Sequence, residues 1–454
     1  MTVNLYPLRA NVTSEDYLNG ALAAARFIRE SAIEGEKGVY WVASGDKPQL
    51  DLYTGSAGII LFLLQIAQVS GDTTFLEDAL MGGDFILHEF EKTNYDYPIR
   101  GDLEHPYYAG NMNSLYIGGL SGVAYSLIKL SEYSDNPSYE QAAFTITEHI
   151  VGNAQRTENG VFWSGYSGII HDAGVILYLL YAAKHFDNAS WREIAAEAGH
   201  AMIAKGQEEG EHSVRYVDVY DAMNLFSQYD LGDNYCPNFA HGTSGISYML
   251  ARLFEETGDI AFLESARKGA NFLIDIAQPM KKGMLIPHSL PQTSDDMFYL
   301  GFCHGPVGTA RLFVLLHRLT AENKYKEFYL DLLLGIEGAG APEYHSAGYW
   351  HSHGLCCGTA GFVGGFLGAY NFYEDKKHLD LAERSAKLLL GAANYNGKVA
   401  SWASAPMRVE PNVVLSEVGY MRGAAGIGQA LLQYYTVLTG AKGIIHLPDD
   451  PFIK

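Results

Sequence analysis

Five residues suited to metal or acid–base chemistry stand at matched places in the chain. They are His241 in AHGTSG, Cys303 and His304 in FCHGPVG, and Cys356 and Cys357 in GLCCGTAG. Each lies within the two residues that precede a Gly-x-x-Gly step. Thiolates and imidazoles are the donors zinc takes, and a catalytic zinc uses three protein ligands while leaving a position for water or substrate. Cys303, Cys356 and Cys357 are the first choice of ligands. A free cysteine taken singly reads as a small buried apolar residue; three of the four in the chain at matched positions read as a metal site. Cys236, in NYCPN, lacks that context and reads as structural. His241 reads either as a hydrogen-bonding core residue or, by its alignment with the cysteines, as a general acid/base. His304 is an alternative ligand or a second acid/base. His351 and His353, in YWHSHGLCC, read as a solvated loop.

A repeat has to bring these residues together, because they are far apart in sequence. A Gly-x-x-Gly step followed by an apolar stretch occurs at Gly55/Gly58, Gly119/Gly122, Gly165/Gly168, Gly242/Gly245, Gly305/Gly308, Gly358/Gly361 and Gly423/Gly426. The stretches, GIILFLLQIA, GVAYSLIKLS, GVILYLLYAA, GISYMLARLF, GTARLFVLLH, GFVGGFLGAY and GIGQALLQYY, are hydrophobic almost all round, as the inner helices of a layered fold should be. Amphipathic helices alternate with them, predicted over Glu15–Ser31, Thr74–Phe90, Ser138–Ala154, Trp191–Lys205, Ala261–Ala277, Lys324–Ile336 and Leu379–Ala392. Inner and outer helices in equal number predict an all-α double ring, an α/α-toroid of seven inner and seven outer helices formed by residues 1–454 as a single domain. Period-2 patterning is scarce; SVRYVDVY at Ser213–Tyr220 predicts a short hairpin or a small inserted flap near 207–237. Glycine suits a helix start that converges on a crowded axis, through close backbone approach or φ > 0. No Gly-Lys-Ser/Thr follows any pair, so the steps hold no phosphate.

Equivalent repeats place the two residues before each first glycine around one mouth of the ring. In order these are Tyr53-Thr54, Ile117-Gly118, Trp163-Ser164, Ala240-His241, Cys303-His304, Cys356-Cys357 and Met421-Arg422. The first three pairs are chemically quiet. The fourth to sixth gather the thiols and imidazoles on one side of the mouth.

Composition narrows the function classes. Lys+Arg total 31 against Asp+Glu 52, a net charge of −21, which repels nucleic acid and anionic lipid surfaces. Four cysteines, two of them adjacent, do not make a disulfide scaffold and point to a reducing, cytoplasmic compartment. The N-terminal residues have no basic start and no apolar core of a signal peptide, and the longest apolar runs are about half the length of a membrane span. Glycosidases built as α/α-barrels need a pair of carboxylates at a cleft, and no Asp or Glu stands at the seven mouth positions.

The three motifs AHGTSG, FCHGPVG and GLCCGTAG resemble the signature motifs of lanthionine synthetase C-like (LanC) proteins, over essentially the whole chain. The resemblance implies an α/α-toroid with a zinc ion on Cys303, Cys356 and the residue after it, a position usually occupied by histidine and here by Cys357. The FCHG form is similar to that of eukaryotic LanC-like members; the Cys-Cys-Gly form is similar to a subset of bacterial lanthipeptide cyclases. Cyclases of the family act on a dehydrated precursor peptide. Zinc lowers the pKa of a peptide cysteine, its thiolate adds to dehydroalanine or dehydrobutyrine to form a thioether, and a general acid protonates the α-carbon. A third thiolate ligand adds negative charge, which implies a more nucleophilic substrate thiolate. Such cyclases carry an Asp before the third glycine pair and an Arg before the first ligand cysteine. This chain has Val161–Ser164 and Met297–Leu300 there, so Asp172, one to two turns into the inner helix, and Arg422 are the candidates for those places, with Tyr299 as an acidic hydroxyl. His241 is the acid/base whose motif is intact. The same resemblance also admits glutathione addition to dehydroamino acids, or a non-catalytic zinc-binding scaffold in a peptide-modifying complex. A separate dehydratase is the partner that cyclisation requires, since no dehydratase segment fits within these residues.

Overall fold

The computed structural model describes residues 4–5, 7–43, 47–93, 112–158, 160–217, 235–292, 298–345, 349–350, 352–405 and 412–452. Among them are fourteen helices: α1 Ser14–Glu30, α2 Ser56–Ser70, α3 Thr74–Lys92, α4 Leu120–Ser131, α5 Ser138–Gly152, α6 Asp172–His185, α7 Ala189–Ala204, α8 Thr243–Thr257, α9 Ile260–Ile276, α10 Pro306–Thr320, α11 Asn323–Gly338, α12 Thr359–Tyr373, α13 Lys376–Ala392 and α14 Ala424–Thr439. The even-numbered ones form the inner ring: α2 touches α4, and so on around to α12 against α14 and α14 back against α2. Each inner helix packs on the outer helix that follows it, and α1 covers α14, so the first and last helices close the ring. This is the predicted α/α-toroid.

Amphipathicity decides the layer. Helix α2 is buried on every side from Ser56 to Ile66, whereas α13 buries His378, Leu381, Ala382, Ser385, Ala386, Leu388, Leu389 and Leu390 and leaves its charged face in water. Burying each such leucine contributes about 1.5–3 kcal/mol, which is why periodicity, summed over a helix, overrides local propensity. No helix among the described residues is long and apolar enough to cross a membrane.

Five outer helices lead into two-stranded antiparallel hairpins, at 33–40, 155–162, 207–215, 278–285 and 394–401. The third of these overlaps the stretch expected to form a hairpin, Ser213–Tyr220, only at 213–215; residues 218–234 of the expected flap lie outside the described residues. In three units a tryptophan just past the hairpin donates its indole N–H back to the end of the outer helix: Trp41 to Ile28, Trp163 to Ile150 and Trp402 to Leu389, at 2.7–2.8 Å. The bond adds a donor to a helix-end carbonyl; those of Ile28 and Ile150 also accept from the backbone N–H of Ser31 and Asn153.

Six of the seven glycine steps work by close approach and not by left-handed backbone; Gly165, at φ +81°, is the exception. Gly305 caps α10 at φ −138°, and a Cβ on Gly308 would stand 1.9 Å from the Phe302 carbonyl oxygen and 2.6 Å from Phe239 of the neighbouring unit. Unit three departs from the expected register. Its inner helix starts at Asp172, and Gly174, not Gly168, takes the second-glycine place, with a Cβ there 2.2 Å from the Ile169 oxygen. The first glycine is missing and His171 caps the helix.

Candidate metal centre

The mouth is held by main-chain hydrogen bonds that run from unit to unit. Tyr53 N–H donates to Tyr116, Ile170 to Ala240, Ala240 to Cys303, Cys303 to Cys356, Cys356 to Met421 and Met421 back to Tyr53, at 2.8–3.4 Å. These links explain why residues distant in sequence reach one place. They also fix the register of every unit: unit two contributes Tyr116-Ile117 and unit three Ile170-His171, in place of the expected Ile117-Gly118 and Trp163-Ser164.

The structure brings Cys303, Cys356 and Cys357 together. Their sulfurs lie within 4.8 Å of one another, with Cys303 Sγ 3.4 Å and Cys356 Sγ 3.6 Å from Cys357 Sγ. No disulfide joins them. Sulfurs around one tetrahedral zinc, at about 2.3 Å from the metal, stand about 3.8 Å apart. The two separations from Cys357 therefore match such an ion to a few tenths of an ångström, and the third lies within 4.8 Å. Cys303 and Cys356 are buried and Cys357 is the partly exposed member, so solvent reaches the trio at Cys357.

Charge is distributed unevenly over the trio. Hydrogen bonds from Cys303 and Cys357 hold the Cys356 thiol well below its ordinary value against the effect of burial, helped by the Tyr53 hydroxyl and the Arg422 charge. Cys303, which donates to that thiolate, is pushed well above it. Three adjacent thiols titrate as one system. Burial works against the Arg422 charge, but Glu417, its ion-pair partner, together with Tyr53 and Cys356, outweighs it. Arg422 thus stands where the expectation placed a cation. Tyr53, from a unit that reads as quiet, is an addition; burial and the thiols raise its phenol well above the usual range.

A row of imidazoles continues the same ring level. The ring centroids of His171 and His241 are 5.9 Å apart, those of His241 and His304 are 5.1 Å apart and nearly parallel, and His288 lies 4.6 Å from His304. Tyr299 flanks the row, 4.2 Å from His288. His171 escaped the sequence reading because the one-residue deletion removed its first glycine. The signal was IHDAG, an AHG-like step with that glycine absent. His304 does not join the three thiols: its ring groups with His288 and Cys236. Cys236, expected to be merely structural, therefore faces two imidazoles. His353 is buried, not solvated, because 352–357 folds back on itself through Ser352 N–H to Cys357 and Ala360 N–H to His353. His351 lies outside the described residues.

Asp172 stands in the first turn of α6, not one to two turns along it. Its carboxylate accepts from the backbone N–H of Trp163, Ser164 and Gly165 and from the Ser164 hydroxyl, at 2.7–3.3 Å. Burial raises its pKa while these donors favour the charged form. With both oxygens engaged, it clamps the 163–165 loop beside His171.

The sequence model of a family described as lanthionine synthetase C-like protein matches residues 47–438. Glutathione S-transferase LANCL1 of Danio rerio is 22% identical over 328 residues, 72% of this chain and 71% of that relative. Among solved structures, nisin cyclase is similar at a TM-score of 0.64 and 16% identity, over 90% of this chain and 93% of that one, a likeness of fold.

Proposed function

The chain belongs to the lanthionine synthetase C-like family, and from that premise we propose that it is a zinc-dependent cyclase of the Cys-Cys-Gly kind, joining cysteine thiols of a dehydrated peptide to dehydroalanine or dehydrobutyrine. The observation that carries this reading is the three-thiol cluster, open on one side, at the mouth of the ring. Cys303, Cys356 and Cys357 are its ligands. Zinc held there supplies one thing, a substrate thiol kept deprotonated at neutral pH.

The residues of the chain do the rest. The substrate sulfur forms a bond to the alkene β-carbon, the alkene electrons move onto the peptide carbonyl as an enolate, and the α-carbon takes a proton. His241 in its charged form delivers that proton, and the proton lost by the thiol balances it. Arg422 offsets the negative charge that three thiolates place in a buried setting and orients Tyr53 through its own charge. Asp172 acts as a positioning residue: it fixes the loop next to His171, which packs against His241. His304 and Tyr299 wall the site on the far side of His241.

A second reading rests on the Danio rerio relative, whose name is that of a glutathione S-transferase. In that case the thiol comes from glutathione and the same groups act.

One experiment separates these. The zinc-loaded protein is incubated with a dehydrated, cysteine-containing peptide, with and without glutathione, and the products are alkylated and weighed. Cyclisation removes alkylatable thiols without changing peptide mass. Glutathione transfer adds one glutathione per alkene. Unchanged thiols and mass in both arms would leave the scaffold role and overturn the enzymatic one.

A further inference from the structure

Beyond the three-thiol centre, a second set of donors converges without sharing a ligand with it. Cys236, His288 and His304 place one sulfur and two imidazole nitrogens within 4.8 Å of one another. Cys236 and His304 are buried and His288 is partly so.

The backbone builds this convergence. Tyr235 and Leu290 exchange two main-chain hydrogen bonds of 2.8 Å, so Cys236 and His288 sit just inside one antiparallel bridge. Asn238 extends the link by donating its side-chain amide to Pro287 at 2.9 Å and accepting from Thr309 at 2.9 Å. Ala240 N–H donates to the Cys303 carbonyl at 2.8 Å, which ties the same loop to the residue before His304. Tyr299 closes one side, its ring 4.2 Å from that of His288 and 5.8 Å from that of His304. Nδ1 of His304 is buried and has no hydrogen-bond partner among the described residues. A buried imidazole nitrogen left so is destabilising unless something takes its lone pair or proton.

We propose that Cys236, His288 and His304 form a second metal site, for a borderline divalent transition metal such as zinc. One thiolate and two neutral imidazoles suit zinc, cobalt or copper and disfavour magnesium and calcium, which take oxygen. Donor separations of about 3.5 Å around a tetrahedral ion are within side-chain rotation of those present. Three protein ligands leave a fourth position for water or a substrate oxygen. The charges of the two centres are complementary. Three thiolates on a divalent ion leave a net negative charge, whereas one thiolate and two imidazoles leave a net positive one, and in a buried setting such neighbours favour each other. The assignment stands on geometry and is independent of the reaction proposed above.

The test is metal stoichiometry of the full chain. Protein stripped with a chelator, reloaded with excess zinc and freed of unbound metal should hold two zinc ions per chain by elemental analysis. Cys236→Ser and His288→Gln should each hold one. Cobalt supplies a second readout. In the wild type, sulfur-to-cobalt absorption should rise in two steps, the larger from three thiolates and the smaller from one, and Cys236→Ser should lack only the smaller. A wild type that saturates at one ion, or two variants that still hold two, would overturn the proposal. The wild-type count decides even if a variant fails to fold.

Discussion

Loss of one sulfur from the mouth trio leaves two donors, too few to hold zinc against water. Cys303→Ala, Cys356→Ala and Cys357→Ala are each expected to lower zinc content by one ion per chain and to weaken binding more than about 100-fold, beyond the effect of losing an outer-shell partner. Elemental analysis after dialysis checks this. Cys357→His behaves differently: the imidazole restores a third donor but removes one negative charge. It should keep its zinc and slow thioether formation, whereas an unchanged rate and product pattern would show that the third thiolate is not what tunes the site. His241→Asn should lower the rate by about 10²–10⁴-fold with zinc content intact, the range that a positioned acid contributes. The cysteines and His241 are legible in the sequence because their repeat units carry an intact first glycine. His171 is not, because a one-residue deletion moves the glycine spacing that frames it. Cys236 and His288 are not legible either: they meet through an isolated β-bridge between loops, a contact that no local pattern announces.

The helices follow from the sequence because each has two or more turns of a consistent apolar pattern. The hairpins have strands of two or three residues, too short to show a period of two, and so most of them do not. Three of the five are tied to their outer helix by the recurring indole bond. Trp163→Phe keeps most of the ring but leaves the Ile150 carbonyl with the Asn153 N–H alone, and should destabilise the protein by about 0.5–1.5 kcal/mol in urea denaturation. Inner helices also share a stop signal. Gly71, Gly258 and Gly440 end α2, α8 and α14 in the left-handed region, while Glu374 does so after α12 at φ +59°. A side chain there costs about 1–2 kcal/mol relative to glycine. Glu374→Gly should therefore raise stability by about 1 kcal/mol, measured as an increased urea midpoint at constant slope.

On the scale of the whole molecule, the ring is closed at its centre by its own C-terminal segment. Residues 444–452 run into the axis: Gln65 accepts from Ile445 N–H, Tyr125 donates to the His446 carbonyl, and Tyr116 and Arg311 both donate to the fully buried Asp449. The segment belongs to no repeat, so the sequence pattern is silent about it. Asp449→Asn would leave Arg311 without its counter-charge, and a loss of about 3–5 kcal/mol is expected. His446 adds a pH dependence. Its hydrogen bond to Asp450 raises the imidazole above its ordinary 6.5 against the effect of burial. That stabilisation is complete below 6.5 and fades as pH rises through the folded-state value, so the stability gap between wild type and His446→Gln should narrow from about pH 6.5 upward. Packed in this way, the axis is filled by the chain itself, and the proposed cyclase activity depends on what the three thiols hold. Zinc-edge X-ray absorption on Cys236→Ser, in which the three-thiol centre is the remaining zinc site, tests it most directly. Three sulfur neighbours at about 2.3 Å and one lighter atom are predicted, with the lighter atom replaced by a fourth sulfur when a cysteine-bearing peptide is added. A sulfur count that starts below three, or that does not rise with the peptide, would contradict it.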